Sequence, residues 1–421
     1  MTASDPSHDT RRAIEAVWRI ESARLIAGLA RMTRDVGQAE ELAQDALVTA
    51  MQTWPRTGIP DKPGAWLMAT AKRRAIDGFR RDRLLERKHA ELAHDLDTAE
   101  TPDLEAALDD DIGDDLLGLI FTACHPLLSV EARTALTLRL VGGLTTDEIA
   151  RAFLVPEPTV AQRITRAKRT LSEAGVPFEV PRGAERAERL SSVLGVIYLV
   201  FNEGYSATAG EDLLRPALCE EALRLGRVLA GLAADEPEVH GLVALMEIQG
   251  SRARARTGPD GTPVLLADQN RALWDPLMIG RGLKALERAE ALGGARGPYA
   301  LQAAIAACHA RARRAEDTDW AGIAALYGEL MRVSPSPIVE LNRAVAVSMA
   351  DGPQAGLAVL DGVAGAPALR NYHLLPAVRG DLLARLGRGA EAKAEFERAA
   401  AMTRNLRERT LLLERAAQTE S

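Results

Sequence analysis

Apolar residues recur through this chain at the three- and four-residue spacing that places them on one face of an α-helix. Three such runs cover residues 11–34, 38–54 and 65–87. The second is expected to end at Pro55, because proline cannot continue the helical hydrogen bonding. Strand-like alternation is scarce, aromatic residues make up only 4% of the chain, and Ala, Leu, Arg and Glu dominate. The pattern predicts an all-α protein that begins with a compact three-helix bundle.

A second small helical unit is expected over residues 112–172, and two short amphipathic runs near its end, "LTTDEIARAFLVPEPTVAQRITRAK", carry its most specific pattern. Thr145 is placed to cap the first run, and Pro158 stands in the opening turn of the second, where its missing N–H is not needed. Packing their apolar faces together gives a helix-turn-helix, whose second helix fits the major groove of DNA. A helix pair with a solvated basic face is the alternative.

The second of these runs carries polar and basic residues opposite its apolar stripe. Arginine and glutamine can read base edges in the major groove, while threonine and lysine favour phosphates. The positions expected to point outward are Thr159, Gln162, Thr165, Arg166 and Arg169, with Arg163 at the edge.

The charge distribution supports a nucleic-acid partner although the net charge is −7. Residues 66–88 hold eight lysines and arginines against three acidic residues, whereas residues 92–115 hold ten acidic residues and no lysine or arginine. Residues 92–111 of this stretch have few large apolar side chains to bury, which predicts a flexible linker.

The C-terminal half is rich in Ala and Leu and repeats one spacing. Gly322, Gly356 and Ala392 occupy matching places 34 and 36 residues apart, and each is followed four residues later by Leu or Phe. This period is close to the roughly 34 residues of a tetratricopeptide repeat and predicts an α-solenoid.

Several long strings resemble one family. "AEELAQDALVTAMQTW" and "PGAWLMATAKRRAIDGFRR" resemble regions 2.2 to 2.4 of RNA polymerase sigma factors of the extracytoplasmic-function (ECF) class, and the "LTTDEIARAF" string and its continuation resemble their region 4.2. "YLVFNEGYSAT", "GPYALQAAIAACHARA", "DTDWAGIAALY" and "SPIVELNRAVAV" resemble the tetratricopeptide-like extension that one subgroup carries.

The resemblance implies four segments that together cover nearly the whole chain. They are a helical region-2 bundle at residues 8–90, an acidic linker at 91–111, a region-4 helix-turn-helix bundle at 112–175, and a TPR-like helical extension at 183–421. The linker is then either a spacer or a segment that threads the RNA exit path of the polymerase.

The resemblance also implies a partner and a role. Such a protein binds core RNA polymerase, recognises the −10 and −35 promoter elements and promotes initiation, without catalysis of its own. Its polymerase contacts would be the clamp helices of the largest subunit and the flap of the second subunit. The residues implied in clamp binding are Glu40, Glu41, Gln44 and Asp45.

Two sets of residues are implied in promoter binding. Those for the −35 element are Thr159, Gln162, Arg163, Thr165, Arg166, Lys168 and Arg169. Those for the −10 region are Lys72, Arg73, Arg74, Arg80 and Arg81. Trp66 could stack on a flipped base, but its helical register favours core packing. The chain departs from the family at Arg73, where Asn is frequent, and at Leu154, where Gly is frequent.

Other polar groups form weaker patterns. The pairs Cys124–His125 and Cys308–His309 complete no zinc-ligand spacing, so core cysteines are expected, with neither metal nor cofactor. The "FNEGY" segment is interpreted as a turn or a contact surface. The candidate regulatory contacts are Asn202, Glu203, Tyr205, Asn342 and Arg343.

The chain lacks a signal-like apolar start and any run of about 18 apolar residues, and its three cysteines are far apart, so we expect a cytoplasmic protein without a membrane segment. The C-terminal solenoid is expected to regulate activity, by docking on the sigma modules or by sensing a ligand. Three alternatives stay open: a TPR-type adaptor, a ligand-sensing helix-turn-helix regulator that does not act with polymerase, and an enzyme that uses "FNEGY".

Overall fold

The computed structural model describes residues 6–90, 112–206, 214–259 and 261–419, and within those residues the chain forms eighteen α-helices and no strand. The expected acidic linker at 91–111 lies outside them. No helix in these four segments is both long and apolar enough to cross a bilayer. The chain divides into two compact units, residues 1–196 and 197–421.

The first unit contains seven helices and the beginning of an eighth. They are α1 (Pro6–Thr33), α2 (Val36–Thr57), α3 (Pro63–Ala90), α4 (Ile112–Ala123), α5 (Val130–Leu140), α6 (Thr146–Phe153), α7 (Glu157–Glu173) and the start of α8 (Gly183–Tyr205). The side chains of α3 are described only as far as Asp77.

Helix α2 is longer than its sequence pattern predicts. Asp35 caps its start, because the side chain accepts hydrogen bonds from the N–H groups of Gly37 (2.7 Å) and Gln38 (2.9 Å). The expected end at Pro55 is wrong: the helix continues to Thr57 and stops at Gly58, which has φ 82°. A proline in the last turn removes only one hydrogen bond, and its fixed φ is helical, so the cost there is small.

Helices α1, α2 and α3 pack on a core that combines large side chains with alanines. Leu29 and Ala43 are fully buried, and Trp54 is 2% exposed. Trp66 is half-buried and packs edge-to-face on Trp54, with the ring centroids 5.3 Å apart. The preference for core packing at Trp66 therefore agrees with its position.

The start of α8 packs on the helix-turn-helix half of the first unit. Arg189 is 4% exposed and donates from Nη2 to the carbonyl of Phe121 (3.3 Å). Ser192 accepts from Arg133 Nη1 (2.5 Å) and donates to the carbonyl of Cys124 (2.7 Å). These bonds satisfy buried polar groups, and they join α8 to the ends of α4 and α5.

The second unit contains the end of α8 and ten further helices. They are α9 (Pro216–Leu232), α10 (Pro237–Gly250), α11 (Pro276–Ala291), α12 (Pro298–Arg311), α13 (Trp320–Val333), α14 (Pro337–Ala350), α15 (Pro353–Asp361), α16 (Leu374–Arg385), α17 (Gly389–Met402) and α18 (Leu406–Gln418). Six of them begin with proline, whose fixed φ suits the first helical position.

The repeats correspond to helix pairs that share a core with their neighbours. Gly356 of α15 faces α14, and a Cβ there would come within 2.7 Å of the Ala344 carbonyl. In the next pair, Gly380 of α16 lies against the ring of Phe396, which is 1% exposed. Gly322 differs, because it serves the capping of α13: its N–H donates to the Asp319 side chain (2.8 Å). The pairs stack as expected for a solenoid.

Candidate nucleic-acid interface

The helix-turn-helix begins with a capping box. The Thr145 hydroxyl accepts from the N–H of Glu148 (3.1 Å), and the Glu148 carboxylate accepts from the N–H of Thr145 (2.8 Å). Burial raises the pKa of Glu148, but the hydrogen bonds from Thr145 and the charge of Arg19 outweigh it, so the pKa lies below its ordinary value. The predicted cap at Thr145 is confirmed, and its two hydrogen bonds fix where α6 begins.

The turn between α6 and α7 is made by a leucine in the left-handed region. Leu154 has φ 51° and ψ 43° and is 56% exposed. The next residue closes the turn, since the N–H of Val155 donates to the carbonyl of Ala150 (3.0 Å). A left-handed conformation costs a residue with a Cβ about 1–2 kcal/mol. The turn is therefore the expected one, and the leucine in it is strained.

We expect Leu154→Gly to raise the free energy of unfolding by about 0.5–1 kcal/mol, because glycine relieves the strain but gains freedom in the unfolded chain. Urea unfolding at equilibrium measures the change. Leu127→Gly is the matched control, because Leu127 is 58% exposed and does not have a positive φ. The control should lose stability. Equal losses in both variants would contradict strain at Leu154.

Helix α7 buries one face and exposes the other. Its buried side chains include Val160, Ile164 and Ala167, each at most 5% exposed. The residues expected to point outward are distributed as follows: Gln162, Thr165, Arg166 and Arg169 are exposed, and Thr159 and Arg163 are half-buried. Arg169 pairs with Glu173 on the surface (3.6 Å). The exposed face presents amide, hydroxyl and guanidinium groups together.

Lys168 does not share this exposed face. Its side chain is 22% exposed, and its Nζ forms an ion pair with the carboxylate of Glu40 in α2. Lys168 lies at the border between the two faces of α7, because it follows the buried Ala167 and precedes the exposed Arg169. From this position its side chain can reach α2. Of the residues implied in −35 binding, Lys168 is thus the one that the structure turns towards α2.

Glu40 is the centre of a buried polar cluster. The residue is 2% exposed, and besides Lys168 its carboxylate accepts hydrogen bonds from Arg139 Nε (2.7 Å) and Gln44 Nε2 (2.6 Å). Burial acts to raise the pKa of Glu40, but Lys168 and then Arg139 outweigh burial, so the pKa is lowered. Glu40 is therefore ionised at neutral pH and holds α2 against α5 and α7.

The residues implied in clamp binding divide into two groups. Glu41 and Asp45 are exposed, whereas Glu40 is buried and Gln44, half-buried, is bonded to it. Asp45 lies beside the basic face of α3, because Arg74 Nη1 is 2.6 Å from its carboxylate. Arg74 also donates to the hydroxyl of Thr49 (2.9 Å). The structure therefore brings one member of the clamp set and one member of the −10 set together.

The basic face of α3 is described in part. Arg73 and Arg74 are exposed, and Lys72 is half-buried. Burial, followed by the nearby charge of Arg31, lowers the pKa of Lys72. Arg80 and Arg81 belong to α3, but their side chains lie outside the described part of the helix.

Three further contacts join the region-2 and region-4 helices. Ser172 donates to the carboxylate of Asp35 (2.8 Å), Arg19 pairs with Glu148 (2.9 Å), and Arg31 lies 3.5 Å from Asp115. Sequence reasoning missed all of them, because the partners are more than 80 residues apart and no local pattern connects them. Together with Glu40, they hold both halves of the first unit in one packed arrangement.

The "FNEGY" segment is helical, and its interpretation as a turn is wrong. It forms the last turn of α8, where Gly204 lets α9 approach: a Cβ there would be 2.6 Å from the backbone nitrogen of Cys219. Glu203 pairs with Arg215 (2.6 Å), and Tyr205 is 9% exposed. Asn202 is half-buried.

The remaining candidates show no shared site. Asn342 is exposed, and Arg343 forms a two-bonded pair with Glu340 (2.8 and 2.5 Å) on the same helix. Cys124 is 1% exposed and bonds the Thr137 hydroxyl (3.2 Å), and burial raises the pKa of its thiol to about 11. Cys308 is half-buried.

Comparisons with known proteins agree with this architecture. Residues 20–84 match Sigma-70 region 2, residues 119–171 match Sigma-70 region 4, and residues 189–290 match a Family of unknown function (DUF6596). The chain belongs to the ECF class of sigma-70 factors, proteins of transcription initiation, and carries a C-terminal helical extension.

Two proteins with similar sequences cover different parts of this chain. The ECF RNA polymerase sigma factor SigL of Mycobacterium tuberculosis (strain ATCC 25618 / H37Rv) is 30% identical over 151 residues, which is 35% of this chain and 81% of SigL. An uncharacterized protein of Rhizobium meliloti (strain 1021), R00370, is 46% identical over 385 residues, 91% of this chain and 90% of that protein. No solved structure matches the chain.

Proposed function

We propose that this sigma factor reads the −35 promoter element with the exposed face of α7 and holds the −10 region on the basic face of α3. The exposed Gln162, Arg166 and Arg169 on a capped helix-turn-helix carry this proposal. Arginine can bond both acceptors of a guanine and glutamine those of an adenine, so the face has the chemistry of base recognition. Lys72 and Arg73 supply charge for phosphates of the melted strand.

Core polymerase would bind through the carboxylates of α2. Glu41 is exposed, so it can meet a basic surface such as the clamp helices without rearrangement, whereas the exposed Asp45 would exchange its ion pair with Arg74 for one with that surface. Glu40 is held by Lys168 and Arg139, and it becomes available only if α7 and α5 move away from α2. The packed arrangement is thus a closed form, and polymerase competes for the carboxylate that keeps it closed. Region 4 would then reach the flap of the second subunit.

We further propose the segment boundaries that the resemblance implies: region 2 at residues 8–90, the linker at 91–111, region 4 at 112–175 and the extension at 183–421. The start of α8 belongs to the packing of the first unit through Arg189 and Ser192. A truncation that removes residues 183–196 therefore damages region 4 as well as the extension. The extension is proposed to regulate initiation.

In vitro transcription from a fragment library of the source genome, with full-length protein and core polymerase, tests the proposal. We expect discrete transcripts that appear only when both are present. A helix-turn-helix regulator that does not act with polymerase would instead bind DNA alone and leave core polymerase without new start sites. The second outcome would contradict the proposal.

A further inference from the structure

All five tyrosines of the chain lie in the second unit, and Tyr198 has an electrostatic interaction with each of the other four. Its ring packs edge-to-face on Tyr299, with the centroids 5.5 Å apart. Tyr205, Tyr327 and Tyr372 lie within electrostatic range of the same phenol. Burial raises the pKa of Tyr327 to about 12, so its phenol is neutral. Tyrosines spread over 175 positions of the sequence thus interact electrostatically with Tyr198.

Two arginines flank a tryptophan next to these phenols. Arg252 donates to the Tyr205 hydroxyl (2.7 Å), and its guanidinium carbon lies 5.6 Å from the ring centroid of Trp274. Arg271 lies 4.8 Å from the same centroid. Arg256 adds a third positive charge, 3.8 Å from the Tyr205 ring centroid. Cation–π contacts of this kind offset only part of the cost of gathering three charges.

The described residues supply no carboxylate in ion-pair contact with these three arginines. Arg271 bonds the carbonyls of His309 and Ala312 and the hydroxyl of Thr318, and Arg256 bonds the carbonyl of Tyr205. Acidic groups act on them only from a longer range. Asp317 and Glu316 act electrostatically on Arg271, but both form ion pairs with Arg314. Glu408 acts electrostatically on Arg256 and accepts a hydrogen bond from the Thr403 hydroxyl.

Buried polar atoms without a protein partner adjoin the same arginines. The indole Nε1 of Trp274, a residue 5% exposed, and the Nδ1 of His309, a residue 9% exposed, have no hydrogen-bond partner, and neither has the Nε of Arg271. Burial, with the charges of Arg252 and Arg271, lowers the pKa of His309 to about 4, so its ring is neutral at pH 7. Buried polar groups are ordinarily bonded, so their concentration here points to a ligand.

We propose that Arg252, Arg271, Trp274 and His309 form a binding site for a small organic anion, a carboxylate or phosphate attached to a flat ring. The guanidinium groups would pair with the anion, the indole N–H would donate to it, and the surrounding phenols and indole would pack on the ring. Cationic ligands are excluded by the same charges. Arg252 is the best probe of the site, because among the described residues its side chain makes a hydrogen bond to Tyr205 alone.

Isothermal titration calorimetry of the full-length protein at low salt tests the site. The probes are benzoate, acetate, inorganic phosphate and the neutral benzyl alcohol. We expect one equivalent of an anion to bind and benzyl alcohol not to bind. Arg252→Gln should weaken binding by at least about tenfold. Tighter binding of benzoate than of acetate would show that the ring is part of the ligand. Binding of phosphate alone would show a site for free phosphate and would overturn the proposal that the ligand carries a ring.

The matched control is Arg254→Gln, since Arg254 is exposed in the same segment. It should leave the affinity within about twofold. Trp274→Phe, which keeps an aromatic ring but removes the N–H, is a second test and should also weaken binding; circular dichroism checks that each variant is folded. Failure of every anion to bind at about 10 mM, or equal binding to folded Arg252→Gln and wild-type protein, would overturn the proposal. Neither result bears on promoter recognition.

Discussion

Reversing two charges on α7, with Arg166→Glu and Arg169→Glu in one variant, is expected to reduce promoter-directed transcription by at least about a hundredfold. Both side chains are exposed on the face of α7 that is proposed to read the −35 element. Each reversal removes a cation that neutralises a phosphate or bonds a base, and adds an anion that DNA repels. Run-off transcription with core polymerase measures the loss.

The control for this variant is Arg182→Glu with Arg56→Glu. Both arginines are exposed in the first unit and lie outside the two basic faces, and the double variant changes the charge by the same amount. We expect it to retain activity within about threefold at moderate salt, because screening limits distant charges. Equal losses in the two variants would mean that net charge matters and the α7 face does not.

Glu40→Gln is expected to lower the free energy of unfolding of the first unit by about 3 kcal/mol. The carboxylate is buried between Arg139 and Lys168, and the amide would leave both cations poorly matched where solvent is largely excluded. Urea unfolding followed by tryptophan fluorescence measures the loss, and hydrogen exchange in α2 and α7 shows where it acts. Glu41→Gln makes the same chemical change on an exposed neighbour and should cost less than about 0.5 kcal/mol.

The difference in stability between the wild-type protein and Glu40→Gln is expected to depend on pH. Because the folded-state pKa of Glu40 is lowered from 4.5, its charge contributes stability that is fully present above about pH 4.5. That contribution is lost as pH falls below 4.5 towards the folded pKa. The difference between wild-type and Glu40→Gln protein should therefore shrink in acid. A difference that stays constant from pH 6 to about pH 3.5 would contradict an ionised, paired Glu40.

Local sequence patterns correctly predicted those features of the fold that depend on interactions between residues close together in the sequence. The helical period gave the buried face of α7, and the threonine at position 145 gave the start of α6, since a cap needs only the next three residues. The same reasoning misjudged Pro55 and the "FNEGY" segment. At Pro55 the helix continues through exposed residues because a proline in the last turn costs little, and at "FNEGY" the helix continues where Gly204 lets α9 approach.

The positions of some side chains depend on partners far away in the sequence, and local patterns could not predict them. Lys168 fits a DNA-binding face by type and spacing, but Glu40, 128 positions away, turns it inward. Likewise, Arg252, Arg271 and Trp274 of the candidate anion site lie in the connection between α10 and α11, His309 comes from α12, and no short sequence motif links them. The restriction of all five tyrosines to residues 198–372 was the one signal available in the sequence.

We propose that two cationic faces of the first unit act on one promoter together with polymerase. A hydroxyl-radical footprint of full-length protein and core polymerase on a promoter from the transcription assay tests it most directly. We expect protection around both the −35 and −10 elements that requires both proteins and weakens as salt increases. Protection of the same DNA by the protein alone, or by core polymerase alone, would contradict it.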